Sequence, residues 1–493
     1  MKTHDTPHLV VAGAGIGGLT AACLLLKAGF RVTVLEAHIY PGGSAGTFFH
    51  QGFRFDAGAT LAGGFHQDGP HARVGKILGI EWPIEQVDPA WVSLIEGEPV
   101  FQWSNRIKWY DEVEQHFPES RAFWRLQERL AEQAWDISAR KFPFPPQGVR
   151  DYLELAAALR PSTLLAAPFS LLTIGHLLPR SASRKFRTFV DAQLLISAQT
   201  TSSHANALYG SAALDLPRRG VNHVRGGMGQ LAKTLADWLT ANGGILYYRQ
   251  RVERVKPHPR GKIIVYTRKG LEIAADGVVA NLTPWGLAEV LGDDTPDHLR
   301  EEIQRRPAGW GAFTLFLGLD KTQLPSLVAD HFQVVVNAER PLGEGNSVFI
   351  SLSPEGDSSR APLGMRAATL STHTRVQDRW VERSAYEQKR AEYTEKLLAA
   401  AEIATRHPQS GTLVFIRHTT HLCLLHSPAA GHGRGFSSGV VVQSKGFMDG
   451  GGAHLAGRRF DLPGPVHCGG NTWCYGRGSA SDQFLCRSKR PLP

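Results

Sequence analysis

The stretch "HLVVAGAGIGGLTAACLLLKAGFRVTVLE", His8 to Glu36, decides the fold. Its opening "HLVVAG" is a continuous apolar run of the kind a strand buried on both faces carries. A glycine turn follows, then the amphipathic pattern "LTAACLLLKAG", and then a second strand, "RVTVLE". The spacing predicts a strand–helix–strand unit with parallel strands. In such a unit Gly13 permits the tight turn, Gly15 lets the backbone approach a pyrophosphate, and Gly18 lets helix and sheet pack closely. The phosphates would lie on free amides at the helix N-terminus. Glu36 ends the second strand 23 residues after Gly13, where a carboxylate accepts both hydroxyls of an adenosine ribose and disfavours a 2′-phosphate. That combination leaves FAD or NAD as the dinucleotide.

The next residues separate the two. "AHIYPGGSAGTFFHQGFRFDAGAT" carries Gly42 and Gly43, then Thr47, then "GFRFDAGAT" from Gly52 to Thr60. On these motifs the chain resembles the flavin amine oxidase and phytoene desaturase superfamily, in which a paired glycine after the ribose acid brings the backbone against FAD. The block "NHVRGGMGQLAKTLADWLTANGGILYYRQRVERV" repeats the resemblance: Gly226, Gly227 and Met228 open a helix, Gly243 and Gly244 end it, and a strand pattern follows. The resemblance implies that this block returns the chain to the FAD domain and that Val252 pairs its backbone with the adenine. "IAADGVVANLTP", Ile273 to Pro284, looks like the strand that closes this second FAD segment. The expected fold class is α/β: a Rossmann-like FAD-binding domain built from discontinuous segments, with an α+β substrate domain.

Within the superfamily the resemblance narrows to carotenoid desaturases and isomerases, through "GFRFDAGAT", "GGMGQLAKTLADWL" and "DGVVANLTP". "ALRPSTLLAAPFSLLTIGHLLP" and "FVDAQLLISAQTTSSHANALYGSAALDLPRRGVNHVRGG" look most like the C-3′,4′ desaturases of cyanobacteria and their relatives. The resemblance, over roughly Pro7 to Phe415, implies FAD-dependent hydride removal from a lipophilic carotenoid end group. A carotenoid cis–trans isomerase, sharing the cofactor domain, is the alternative. The expected segments are 1–84 and 216–290 for FAD, with 85–215 and 291–410 forming the substrate domain. The electron acceptor, a quinone or oxygen, is left open.

Residue chemistry agrees with a greasy substrate. Leu153 to Leu178 is mostly apolar, interrupted by Pro161 and Pro168 and followed by Arg180, Arg184, Lys185 and Arg187. No uninterrupted apolar run reaches the roughly 20 residues a spanning helix needs. The expectation is a cytoplasmic protein associated peripherally with a membrane surface through this segment, cations toward lipid phosphate; a buried helical pair of the substrate domain is the other reading. No HExxH or CxxC occurs, and the two GxSxG matches, Gly42–Gly46 inside the paired-glycine stretch and Gly435–Gly439 in the tail, stand at no strand-to-helix turn pattern, so metal hydrolysis, dithiol exchange and serine hydrolase chemistry have no support, and no metal site is expected. Asp56 is expected to accept backbone hydrogen bonds near the flavin rather than act as a base. His66 and His71 are expected to be solvated loop histidines. No catalytic base is assigned.

From about Gly411 the composition changes. Cys23 stands alone early, while Cys423, Cys468, Cys474 and Cys486 crowd the tail, and from His421 onward eight Lys or Arg face three Asp and no Glu. The net charge of +9 therefore owes more than half its excess to the tail, and no nucleic-acid partner is inferred from it. Read one nucleotide later with degenerate codons, His418 to Phe436 allow "TPRTFAYFTRRPQGMVGGF", and Gly469 to Tyr475 allow "GGTPGVT". Both match motifs that the family carries and this chain lacks. Residues 411–493 are accordingly read as an out-of-frame tail replacing the last FAD segment, with the shift between about Gly411 and Arg417. The rivals are an inactive remnant that holds FAD weakly or merely a carotenoid, and a zinc-binding or nucleic-acid-binding appendix. The last is disfavoured by the unpaired cysteine spacing and the lack of a dense basic run.

Overall fold

The computed structural model describes residues 6–140, 148–258, 261–305, 310–324, 327–375 and 383–405, with four short strands beyond: His421–Leu425, Ala453–Leu455, Arg458–Phe460 and Trp473–Cys474. The remainder of the tail, including the reading-frame boundary inferred above, lies outside the described residues.

Strand β1 (His8–Ala12), helix α1 (Ile16–Lys27) and strand β2 (Arg31–Leu35) form the expected unit. β1 lies parallel to β2 on one side and to Gly277–Ala280 on the other, and Ile245–Tyr247 adds a further parallel strand beyond β2. Trp473–Cys474 pairs antiparallel with Gly277–Ala280 at the opposite edge. Every residue of β1 is buried, because alternate side chains enter two different cores. Leu9 and Val11 pack with Leu19 and Cys23 of α1 and with Leu231 and Leu235 of helix Gly229–Ala241. Val10 and Ala12 meet Val252, Val255 and Val265 of a three-stranded antiparallel sheet, and Leu287 and Leu291 of helix Pro284–Leu291. Each buried Val or Leu among them contributes on the order of 2 kcal/mol by leaving water.

The strand pattern after Gly244 divides in two. Ile245–Tyr247 joins the parallel sheet, and Val252–Pro257 starts the antiparallel one. Between them the amides of Arg249 and Gln250 donate to the carbonyls of His38 and Glu36, at 2.9 and 2.7 Å. This hydrogen-bonded crossing ties the second segment to the end of β2.

A second, seven-stranded sheet runs in the order His421–Leu425, Trp310–Asp320, Met365–Arg375, Ser347–Leu352, His331–Val335, Val92–Ile95, Glu98–Phe101. All neighbours are antiparallel except His331–Val335 with Val92–Ile95. Its two faces are again separated by alternation. Leu94 and Val334 pack with Phe313 and with Leu397 and Ala401 of helix Arg383–Thr405. Ile95 and Val335 meet an aromatic helical layer of Phe117, Trp124, Phe186 and Phe189. A two-stranded ribbon, Ile84–Val87 against Val221–Val224, joins this part to the dinucleotide part.

The apolar segment after Gly148 forms short helices, Val149–Ala158, Pro161–Ala166 and Ile174–Leu177, with a 3-10 turn at Ala167–Leu171. Pro161 and Pro168 each stand at the start of a helical piece, where the missing amide costs little. Among the described residues no helix is long and apolar enough to cross a membrane. Val149, Tyr152, Leu153, Leu164, Leu165 and Leu171 are exposed on this segment.

Candidate cofactor site

The glycine turn after β1 is closed by backbone alone. The Gly13 amide donates to the Leu35 carbonyl at 2.8 Å. A Cβ on Gly18 would lie 2.2 Å from the Gly13 carbonyl oxygen, so only glycine lets α1 approach the turn. Gly15 caps α1 in extended conformation, no side chain bonds the first amides of the helix, and no acid occupies its first turn. Those amides and the positive end of a 12-residue helix make an anion cradle.

Gly42 and Gly43 come against this turn. The Gly42 amide donates to the Ala14 carbonyl at 2.8 Å, and Gly15 and Gly42 form a parallel bridge. Gly42 has φ of 121°, a conformation that strains any residue with a Cβ. Gly43 faces the Gly15 Cα, which a Cβ at Gly43 would approach to 3.6 Å. Two backbone turns thus abut without an intervening side chain.

Glu36 is buried. One carboxylate oxygen accepts the Ala14 amide and the other the His38 amide, each at 2.7 Å. A carboxylate has about four acceptor positions, so a donor can still be accepted at each oxygen. Val252 is buried in the same cluster as Leu35, and the strand pairing shifts register just after it, between Val252 and Arg254. It follows closely the stretch whose Gln250 amide bonds the Glu36 carbonyl. The seven residues singled out for a dinucleotide occupy four separate chain segments, and the hydrogen bonds above link the glycine turns, Glu36 and the approach to Val252. This arrangement, with unused first-turn amides, a side-chain-free cradle and a half-satisfied buried acid, fits an adenine dinucleotide cofactor.

Asp56 belongs to an adjoining knot. Its Oδ1 accepts the Met228 amide at 2.8 Å and the Thr47 hydroxyl at 2.7 Å, while Thr47 accepts the Gly229 amide at 2.8 Å. Its Oδ2 pairs with Arg360 at 3.0 Å, both side chains being buried, and Arg360 also donates to the Arg54 carbonyl at 2.9 Å. Asp56 has three of its acceptor positions taken by fixed partners and acts as a structural acceptor. Arg360 was not singled out in the sequence: it lies about 300 residues away in a polar loop with no local signal. Asn281, within "DGVVANLTP", carries no signal of its own beyond that motif; its backbone carbonyl and side chain line the positions that a Cβ on Gly13 or Gly15 would enter.

The expectation of solvated histidines is corrected. His71 is buried, stacked on Phe65 at 4.8 Å between centroids and edge-on to Trp82, and burial pushes its imidazole down to about 4. His66 is half-buried against Trp135, and burial, with help from Arg219, lowers it as well. Aromatic neighbours from Trp82 and from helix Arg121–Ala139, distant in sequence, close over this loop.

Comparison with known proteins agrees with this architecture. Residues 16–410 match the family described as Flavin containing amine oxidoreductase. The chain is 28% identical over 424 residues to prolycopene isomerase of Daucus carota, covering 80% of this chain and 65% of that protein. It is 24% identical over 386 residues to a 4,4′-diapophytoene desaturase of Methylomonas, covering 74% of this chain and 72% of that one. The matched region thus spans about two thirds of the length of the carrot relative. Among solved structures, putrescine oxidase shares the fold at a TM-score of 0.55 and 17% identity, over 84% of each chain.

Proposed function

We propose that this chain, which belongs to the flavin containing amine oxidoreductase family and is an FAD-dependent oxidoreductase, acts on the polyene of a carotenoid. The observation that carries the proposal is the likeness, over about three quarters of the chain or more, to proteins named for prolycopene isomerisation and diapophytoene desaturation. Gly13, Gly15, Gly18 and the first turn of α1 hold the pyrophosphate, Glu36 the adenosine ribose, Gly42 and Gly43 the backbone wall beside them, and Val252 the adenine edge. When bound, FAD supplies an acceptor for an electron pair removed with hydrogen from an allylic carbon. The protein's part is to orient the chain end and exclude water, since a polyene delocalises the charge left behind. The bond acted on is C-3′,4′, and the substrate domain comprises 85–215 and 291–410.

Product analysis tests the proposal. The FAD-loaded chain incubated with lycopene should yield a product lighter by two hydrogens, with the new double bond at the chain end. An unchanged mass with altered double-bond geometry would establish isomerisation instead, the second reading, which the 28% identity to the carrot isomerase favours. Absence of either product from a flavin-loaded chain would reject carotenoid turnover by the chain as written and leave the inactive remnant as its account.

Two further expectations remain proposals. The exposed apolar residues of 149–171, followed by Arg180, Arg184, Lys185 and Arg187, of which Arg184 pairs with Glu339 and Lys185 with Glu98, suit an anionic membrane surface, and cosedimentation with anionic vesicles tests them. The reading of 411–493 as an out-of-frame tail is tested by accurate sequencing of the coding DNA across 400–440. A base gained or lost there supports it, and the present frame read cleanly rejects a recording error and favours an inactive remnant.

A further inference from the structure

A line of hydrogen bonds enters the interior from Thr60 and serves no purpose described so far. Thr60 Oγ1 lies 2.7 Å from Ser351 Oγ, and Ser351 Oγ lies 2.9 Å from His331 Nδ1. His331 is 1% exposed, and its Nε2 has no hydrogen-bond partner. Its ring stands 4.6 Å from that of His223 and lies parallel to Phe349. His223 Nε2 contacts Asp330 at 3.1 Å, and Arg366 bonds the other oxygen of the same carboxylate.

This is an unusual outlay of polar groups. An unpaired buried ring nitrogen costs about 1–3 kcal/mol, and nothing in the packing of the seven-stranded sheet requires it. The line is also directional. Thr60 lies in the partly exposed stretch Gly58–Leu61, four residues past Asp56, which is bonded into the glycine block at Met228. The other end is an imidazole held unprotonated. Burial keeps His331 well below the ordinary histidine range, and the positive charges of His223, Arg366 and Arg360 push the same way against the opposing Asp330.

We propose that Thr60, Ser351 and His331 form a proton relay for the reaction, leading away from the carbon next to the one that loses hydride; the inference rests on the carotenoid desaturase reading. Desaturation breaks two C–H bonds and forms one C=C bond. One hydrogen leaves with its electron pair, which FAD accepts; the other leaves as a proton and needs a base. Each hydroxyl is both donor and acceptor, so Thr60 and Ser351 pass the proton by exchanging those roles. It comes to rest on Nδ1 of His331, in the tautomer that leaves this nitrogen bare. A weak base suffices, because a C–H beside an allylic cation is strongly acidic. Asp330, which bonds His223 and Arg366 rather than His331, offsets part of the positive charge on the resulting imidazolium. These are positioning and relay groups.

The test uses the full chain loaded with FAD and lycopene in detergent micelles, as wild type, Thr60→Val, Thr60→Ser and Ser351→Ala. Thr60→Val and Ser351→Ala should each slow product formation about 100-fold, within the range for lost general-base catalysis, with KM and flavin content unchanged. Thr60→Ser should restore the rate to within about threefold, consistent with Brønsted behaviour of a retained hydroxyl. A solvent deuterium effect present in wild type should vanish in Thr60→Val. Wild-type turnover with undiminished rates in both variants overturns the relay alone; a loaded wild type that leaves lycopene intact overturns the desaturase reading and the relay together. Ring-nitrogen NMR of the FAD-free chain gives a readout without turnover. The His331 imidazole should stay neutral well below the ordinary value near 6.5, and its Nδ1 signal should move on Ser351→Ala. A His331 that titrates in the ordinary range, or is indifferent to Ser351, removes the proposal.

Discussion

The parallel sheet and the seven-stranded sheet solve different problems with different kinds of residue. Around α1 the working surface is main chain: glycines without side chains, free amides and one acid. In the larger sheet it is side chain: Ser351, His331, Asp330 and Arg366 converge from separate strands and loops, with Thr60 and His223 joining from the other part. A backbone cradle must be contiguous in sequence, because its geometry depends on consecutive dihedrals. A side-chain cluster need not be. The first is therefore written as a motif and the second is dispersed.

The contrast can be broken at its strongest point by Gly18→Val. With a Cβ 2.2 Å from the Gly13 carbonyl, α1 must move off the turn. The expected outcome is complete loss of flavin, read from the ratio of flavin to protein absorbance after reconstitution. Retained flavin would show that the cradle tolerates side chains after all. Next is Arg360→Met, which leaves the Asp56 carboxylate buried without its cation. Removing one partner of a buried pair costs about 3–5 kcal/mol, so the melting temperature should fall markedly, and adding Asp56→Asn should recover much of the loss.

His71 gives a somewhat smaller, pH-dependent effect. Its folded value, about 4, lies below the unfolded value near 6.5. The depressed value means that the unfolded chain binds the extra proton, so stability is full above about pH 6.5 and is lost as pH falls toward 4. The loss is of the order of 3 kcal/mol. His71→Phe should flatten that part of the stability curve, followed by denaturant unfolding at several pH values; an unchanged slope would mean that His71 titrates normally. The smallest effect on stability belongs to Leu171→Ser at an exposed position. It should leave unfolding within about 0.5 kcal/mol of wild type while reducing binding to anionic vesicles.

The same contrast explains what could be read in advance. The unit from His8 to Glu36 was legible in full, since strand, turn, helix and terminal acid each leave a local pattern. The strand after Gly244 was legible in type but not in extent, because its break at Tyr248–Arg251 is made by carbonyls of residues 36 and 38. His66 and His71 sit in a loop rich in glycine and polar residues, and the aromatic rings that bury them lie partly elsewhere in the chain. Arg360 and His331 carried no local signal. Each is defined by a partner far away in sequence, Asp56 for one and Thr60 through Ser351 for the other.

The neighbours of β1 and β2 in the parallel sheet, Gly277–Ala280 and Ile245–Tyr247, are both made more than 200 residues after the strands they flank. During synthesis at about 5–20 residues per second, β1 and β2 would emerge and then wait on the order of 10–50 s for those partners. Throughout that interval the face of β1 carrying Val10 and Ala12, and the side of α1 that meets helix Gly229–Ala241, lack their cover. Such a nascent chain calls for a holding chaperone at the ribosome and folds late, once its second glycine block has been translated.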